Sequence, residues 1–388
     1  MLRSFFKHRK RNYIFLALVL LIILIGFFIF PYLFPERSEN QFNLNKNMSQ
    51  ASVVLSLDDE VKHIKTPDAV KAIYMTSWVA GTPSLRAKLV DLIDQTEINS
   101  VIIDIKDYSG MIAFLTDDEK VLKYGAPESR IRDIKDFLKL LHQKDIYIIG
   151  RISAFQDSHL VNIKPEWAVK KSSDKNQIWR DQKGIAWIDV GARGMWQYLA
   201  DIGHLSYELG FDELNFDYIR FPSDGNMNDI YYPFSEGVEK KEALRQFFGF
   251  LYKEFRGTGA VLSADLFGMT TTNTDDLNIG QYLEYALPYF DYVAPMVYPS
   301  HYPPTFIGIN NPASEPYKVI KYSLDKAVER ASTTPEKIRP WLQDFDLGTN
   351  YDAGMVRAEI QAVYDSGLNS FMLWSPSNRY TRGALKSN

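Results

Sequence analysis

The segment GFDELNFDYI, residues 210–219, decides the fold of this chain. Its first glycine follows a long amphipathic stretch and is the residue type that most often ends a helix. Polarity then alternates, with Leu214 and Phe216 on one parity and Asn215 and Asp217 on the other. This alternation predicts a strand over 213–219 whose apolar side chains pack against helices and whose polar side chains face the inside of a closed sheet.

The same alternation of strand and helix recurs from residue 71 onward, which is typical of a parallel sheet covered by helices. Eight short apolar runs are predicted strands: 72–78, 100–106, 146–153, 213–219, 261–267, 292–298, 338–345 and 370–376. The longer amphipathic stretches between them are predicted helices: 84–95, 133–143, 193–209, 237–255, 280–287, 316–330 and 354–365. An eighth helix is expected to be very short or missing, because few residues follow the last strand.

These units predict the α/β class and a (β/α)8 TIM barrel, and about 320 residues is a usual length for such a domain with loop insertions. A doubly wound open sheet is the alternative. That fold usually has a glycine-rich phosphate turn after its first strand. Here WVAGT follows the first strand, and no G-x-G-x-x-G occurs in the sequence, so the barrel is favoured.

The N-terminal region is different in kind. Residues 13–34 carry no charge and are long enough to cross a bilayer, so they predict one transmembrane helix that serves as a signal anchor. The basic residues in 1–12 predict a cytoplasmic N-terminus, with 35–68 as a flexible spacer and 69–388 as an extracytoplasmic barrel at the cell membrane. A cleaved signal peptide is the main alternative, but the run is long and ends in bulky residues. A buried globular helix is a further alternative.

Composition limits the possible partners and cofactors. The chain has a formal net charge of -4, so nucleic acid is not expected as a partner, although a local basic patch stays open. The sequence contains no cysteine, which excludes disulfides and thiolate ligands. Its six histidines form no H-x-H or H-E-x-x-H pair, and no metal or other cofactor is expected.

Polar and aromatic residues gather at the predicted carboxyl ends of the strands, where TIM-barrel active sites lie. Asp217 on strand four and Asp265 on strand five are predicted to face one site, and Asp344 lies at the end of strand seven. These three are the candidate catalytic residues. The candidate substrate-binding residues are Trp78, Asp104, Lys106, Asp107, Tyr108, Arg151, Asn215, Tyr218, Arg220, Tyr298 and Trp374. Each single acid also has a simpler interpretation, as a hydrogen-bonded structural group.

Paired carboxylates without a metal fit the cleavage of a glycosidic bond, in which one acid protonates the leaving oxygen and the other attacks the anomeric carbon or activates water. Asp217 and Asp265 fit those two roles. The aromatic content of 14% favours a sugar-binding groove over a phosphate site, which would show a glycine-rich nest. A metal-dependent hydrolase or deacetylase is the alternative use of such acids.

The segment GFDELNFDYIRFPSDG, residues 210–225, resembles the signature of the bacterial putative glycosyl hydrolase domain family. AIYMTSWVAG near residue 72, SVIIDIKDYSG near 100, GRISAFQD near 150, LSADLFGMT near 262, VAPMVYPSHY near 293 and FMLWSPSNRY near 371 resemble its other blocks. The resemblance covers about residues 71–380 and implies a glycoside hydrolase barrel.

The layout is also distantly similar to that of alpha-amylases, which implies Asp217 as nucleophile, the acid on strand five as proton donor and Asp344 as transition-state stabiliser. Two positions depart from that pattern. Strand five ends in Asp265 where the pattern has a glutamate, and Asn215 stands where it has an arginine two residues before the nucleophile.

Taken together, these features predict a glycoside hydrolase that acts on a cell-envelope or extracellular polysaccharide or oligosaccharide. Two alternatives stay open: a barrel that binds glycan without catalysis, and a membrane-tethered scaffold for other proteins. The sequence does not specify the sugar, the linkage, the stereochemical outcome or the oligomeric state.

Overall fold

A computed structural model of the chain describes residues 61–388. Eight strands form a closed barrel in chain order, and every neighbouring pair is parallel. The strands are β1 (Lys71–Met75), β2 (Ser100–Lys106), β3 (Tyr147–Ser153), β4 (Glu213–Asp217), β5 (Val261–Phe267), β6 (Tyr292–Met296), β7 (Trp341–Gln343) and β8 (Phe371–Trp374). The predicted (β/α)8 barrel is therefore confirmed.

Helices connect the strands. They are α1 (Ser77–Ala80), α2 (Pro83–Asp94), α3 (Glu119–Leu122), α4 (Ile134–Gln143), α5 (Leu160–Ile163), α6 (Arg193–Leu209), α7 (Lys240–Phe255), α8 (Leu283–Ala286), α9 (Pro316–Ala331) and α10 (Ala353–Asp365). After β8 the described chain forms only a short 3₁₀ helix, Arg382–Ala384, as expected for a missing eighth helix. The α6 helix ends at Gly210, whose φ of 113° is easy only for glycine.

Side-chain alternation separates two apolar layers. Leu214 and Phe216 belong to the large layer between the barrel and its helices. A smaller cluster fills the inside of the barrel and includes Ala72, Tyr74, Ile149, Trp341 and Met372. Position Asn215 lies on the inward parity of β4, so the predicted orientation of that strand is confirmed.

The first described residues cover the lower end of the barrel, where the strands begin. The backbone N–H of Ile64 donates to Asp212 Oδ1 at 2.8 Å, and the hydroxyls of Thr66 and Tyr147 are 3.0 Å apart. The ring of His63 stacks on Tyr207 at 4.0 Å. Residues predicted as the end of a flexible spacer thus contact the barrel.

The predicted anchor at 13–34 and most of the predicted spacer lie outside the described residues. Within 61–388, no helix has both the length and the apolar character that a bilayer span requires.

Candidate active site

Arg151 lies at the centre of the carboxyl end of the barrel. It is on β3 and pairs in register with Asp104 of β2 and with Asn215 of β4. Its side chain is buried, with 6% of the residue exposed. Nη1 donates to Asp104 Oδ1 at 2.8 Å, and Nη2 forms a short ion pair with Asp217 Oδ2. Two acids from neighbouring strands therefore bind one guanidinium.

Asp265 on β5 reaches the same guanidinium. Its Oδ1 accepts hydrogen bonds from Asn215 Nδ2 at 2.9 Å and from Trp341 Nε1 at 2.7 Å. Its Oδ2 lies 3.9 Å from Arg151 Nε, which is beyond hydrogen-bond distance. Burial, followed by the negative charge of Asp217, raises the pKa of Asp265 to about 8. Both effects favour the protonated form of Asp265.

The remaining contacts of Asp104 and Asp217 fix their orientation. Tyr74 donates its hydroxyl to Asp104 Oδ2 at 2.5 Å, and burial raises the pKa of Asp104. Asp217 Oδ1 accepts the backbone N–H of Tyr218 at 2.5 Å. Tyr218 has a φ of 51°, a left-handed conformation that is strained for an aromatic residue and turns the chain immediately after the acid.

Aromatic rings surround these acids. Trp374 at the end of β8 stacks on Tyr74 with ring centroids 4.1 Å apart, and its ring lies 5.4 Å from the Arg151 guanidinium. Tyr298 is buried after β6, and burial together with the charges of Asp265 and Asp217 raises its pKa well above the usual value. The site is a cluster of acids around one cation inside an aromatic wall.

The family described as "Putative glycosyl hydrolase domain" matches residues 72–380, which include all of these residues. The chain belongs to this family. Membership places it among the glycosidases. No curated protein matches the sequence.

Solved structures are similar to parts of this glycosyl hydrolase domain, and the first two described here share its fold. The glycoside hydrolase domain of PgaB (BpsB) from Bordetella bronchiseptica is 14% identical, with a TM-score of 0.61 over 82% of this chain and 99% of that one. The C-terminal domain of a putative chitinase from Desulfitobacterium hafniense is 13% identical, with a TM-score of 0.50 over 81% and 94% of the two chains. A hypothetical protein from Ruminiclostridium thermocellum is 33% identical, with a TM-score of 0.46 over 53% and 98%.

Arg151 accounts for one departure from the alpha-amylase pattern. The arginine expected two residues before Asp217 is absent, because Asn215 occupies that position. Arg151 is the register partner of Asn215 on the next strand, and its guanidinium contacts Asp217. The glycosyl hydrolase domain thus supplies the cation from β3 and uses Asn215 to bind Asp265.

Three predicted site residues lie near the outer rim of the glycosyl hydrolase domain. Trp78 is 63% exposed, and Arg130 lies 4.7 Å over its ring. Asp107 pairs with Arg130, with Oδ2 2.5 Å from Nη1. Tyr108 is 54% exposed. Trp78 and Tyr108 offer open aromatic faces, whereas Asp107 holds Arg130 in place.

Two predicted site residues have structural partners that leave no atom for a substrate. Lys106 is completely buried, and its Nζ contacts Asp157 Oδ2 at 2.8 Å and the Ser153 carbonyl at 2.7 Å. Asp344 uses both oxygens on Thr381, accepting from its N–H at 2.8 Å and from its hydroxyl at 2.7 Å. Lys106 therefore forms a fully buried ion pair with the following loop, and Asp344 holds the half-buried Thr381 near the end of the chain.

Three further site residues, Tyr74, Trp341 and Trp187, are absent from the sequence-based prediction. Tyr74 and Trp341 alternate inward on their strands, and this parity could have identified them. Trp187 comes from the long segment between β3 and α6, and its ring lies 4.7 Å from the Arg220 guanidinium. No local sequence pattern indicates that contact. Within residues 61–388, no group of three or more potential metal ligands is placed to hold an ion.

Proposed function

We propose that this domain hydrolyses a glycosidic bond in a cell-envelope or extracellular polysaccharide, with Asp265 as general acid and Asp217 as nucleophile or base. The observation that carries the proposal is that both acids contact one guanidinium, that of Arg151. Two carboxyl groups that share a guanidinium lie within about 10 Å of each other, the range used by retaining and inverting glycosidases.

The two acids differ in the way that these roles require. Asp265 is protonated at neutral pH, since its pKa is raised to about 8. Its Oδ1 already accepts two N–H groups, so the proton belongs on Oδ2, the oxygen on the side of Arg151. Asp217 pairs with the Arg151 guanidinium and accepts the Tyr218 amide. One proton donor and one carboxylate are the pair that the reaction needs.

In the first step, Asp265 donates its proton to the glycosidic oxygen while that oxygen leaves the anomeric carbon. Asp217 either attacks the anomeric carbon directly or takes a proton from the attacking water. Arg151 keeps the negative charge of Asp217 in a fixed place next to the reacting sugar. The exposed rings of Trp78 and Tyr108 support a glycan that continues beyond the buried site.

We also propose that the barrel acts outside the cytoplasm on a single-pass anchor at residues 13–34, with the bilayer as its second partner. The uncharged run and the basic N-terminal flank support this localisation. Protease protection in spheroplasts tests it, because a barrel on the outer face is digested without lysis.

The test of catalysis uses Asp217→Asn and Asp265→Asn in the full-length protein, with reducing-end release from polysaccharides as the readout. We expect each variant to lose at least about a thousandfold in rate, as is typical when a group acting in the transition state is removed. Asp365→Asn on the outer face of α10 is the matched control and should keep full activity. Wild-type activity in Asp217→Asn would remove that residue from the mechanism.

A barrel that binds glycan without catalysis is the second candidate, and one observation favours it. Asp265 is only 1% exposed and is held by two N–H donors, so a substrate must reach deep into the barrel to take its proton. Glycan binding that survives both substitutions, with no product released by the wild-type protein, would support this candidate.

A further inference from the structure

Arg220 is a buried cation beside the acids. Only 8% of the residue is exposed, and its guanidinium lies 4.7 Å from the centroids of both Trp187 and Phe267. Nη1 donates to the carbonyl of Phe221 at 3.0 Å and to Ser223 Oγ at 3.2 Å. These aromatic and neutral contacts hold the guanidinium in one place without neutralising its charge.

Among residues 61–388, no carboxylate lies within 4.0 Å of Arg220. The other buried arginines differ: Arg151 pairs with Asp217, Arg130 with Asp107, and Arg339 with Glu213. Burial holds the pKa of Arg220 below its usual value, while the more distant charges of Asp217, Asp224 and Asp181 oppose this shift. A buried charge normally has an opposite charge beside it, because the loss of hydration is otherwise uncompensated.

The free donors of Arg220 are open to solvent. Nε and Nη2 make no hydrogen bond within the described part of the chain. Neither belongs to the solvent-inaccessible polar atoms that lack a partner, so each keeps some solvent-accessible surface. They therefore reach the surface of the site. A guanidinium with two adjacent free N–H groups matches the two oxygens of a carboxylate.

Arg220 is also close to the reacting acids. The Tyr218 ring centroid lies 5.6 Å from the Arg220 guanidinium and 6.0 Å from that of Arg151. Arg151 itself pairs with Asp217. A sugar held at Asp217 would thus place a substituent, or the adjoining sugar, within reach of Arg220.

We propose that Arg220 binds the carboxylate of an acidic sugar, so that the preferred glycan carries a uronic acid or a lactyl ether next to the bond at Asp217. This inference rests on the glycan site proposed above and adds the charge of its substrate. The shared chemistry is a carboxylate on a sugar, and the Trp187 and Phe267 rings hold the guanidinium that binds it.

The test measures binding to the full-length protein by calorimetry and Trp fluorescence. Trigalacturonate is compared with its methyl ester, and N-acetylmuramic acid with N-acetylglucosamine, so that each pair differs in the carboxylate. We expect the wild type to bind the acidic member of at least one pair about 10- to 100-fold more tightly, the range for charge-assisted hydrogen bonds. The pair that responds identifies a uronic acid or a lactyl ether as the source.

Three variants assign that preference to Arg220. Arg220→Met should abolish it while filling the aromatic cage, and Arg220→Lys should keep part of it. Arg245→Met removes an exposed cation from α7 and should leave the preference unchanged. The proposal is overturned if the wild type binds acidic and neutral members equally, or if Arg220→Met keeps the preference while its circular dichroism shows a folded barrel. Hydrolysis of an acidic glycan unaffected by Arg220→Met would overturn the acidic subsite alone and leave the proposed catalysis standing.

Discussion

Replacing Asp265 by Asn should reverse the order of stability between variant and wild type as pH changes. The folded protein holds a proton on Asp265 up to about pH 8, whereas the unfolded chain releases it near pH 4. Between these values the unfolded state binds fewer protons, so wild-type stability falls as pH rises and levels off above pH 8. Asparagine does not ionise, and therefore the stability of the variant does not fall in this way as pH rises.

The structure sets the size of the effect. A difference of about four pKa units corresponds to about 6 kcal/mol at most. The substituted asparagine would still accept from Asn215 and Trp341 through its oxygen, but its NH₂ would replace Oδ2 and set two donors beside the Arg151 cation, at a cost of about 1–3 kcal/mol. We therefore expect the variant to be about 3 kcal/mol more stable than wild type at pH 8, or roughly 5 °C in Tm, and about 1–3 kcal/mol less stable at pH 4.

The assay is differential scanning calorimetry of both proteins at pH 4, 6 and 8, paired with activity at pH 7. Asp365→Asn controls for the loss of a negative charge as such, since hydrogen bonds to exposed Asp365 hold its pKa below the usual value. The control should gain nothing at pH 8. A constant difference in Tm between Asp265→Asn and wild type across this pH range would refute the reasoning.

Three further outcomes are expected. The wild-type rate should fall above about pH 8, because Asp265 then loses the proton it must donate; a rate that stays flat to pH 10 in initial-rate measurements would exclude it as the acid. Arg151→Met should lower the free energy of unfolding by about 3–5 kcal/mol in urea titrations, because two buried acids lose their cation; an unchanged midpoint would contradict the ion-pair geometry. Trp78→Ala should weaken glycan binding in affinity electrophoresis and leave Tm within about 1 °C, since the ring is 63% exposed; a large drop in Tm would show that the ring is structural.

Much of the fold could be predicted from side-chain periodicity. The strands β2 and β5 and the helix α6 have the bounds that the sequence indicates. The predicted first strand continues to residue 78, but β1 ends at Met75. Thr76 there accepts the Val79 N–H on its hydroxyl and starts α1, and this local cap outweighs the apolar character of the residues that follow.

The site residues could be predicted where alternation along a single strand determines whether a side chain points into the barrel. Parity alone placed Asp217 and Asp265 inside the barrel, and both lie there. It could not distinguish Lys106 from Arg151, since alternation predicts that both face inward. In the structure the register of β2 shifts between Asp104 and Lys106, so that Lys106 lies opposite Ile152 and not in the row of Arg151. Lys106 forms an ion pair with Asp157 in the following loop, and Asp344 accepts a hydrogen bond from Thr381 near the C-terminus. Such pairings depend on how distant loops fold back, and one sequence carries no periodic signal for that.

The pairing between β6 and β7 affects the residue that holds Asp265. Seven neighbouring strand pairs share at least three register positions, but β6 and β7 share one, Met296 with Trp341. An isolated bridge between Val293 and Ile338 adds a second contact just before β7. Trp341 is also the indole donor to Asp265. Local opening of the barrel requires the least free energy where few backbone hydrogen bonds must break. Because Trp341 lies at this pairing, amide hydrogen exchange there reports on the mobility of the strand whose indole holds Asp265.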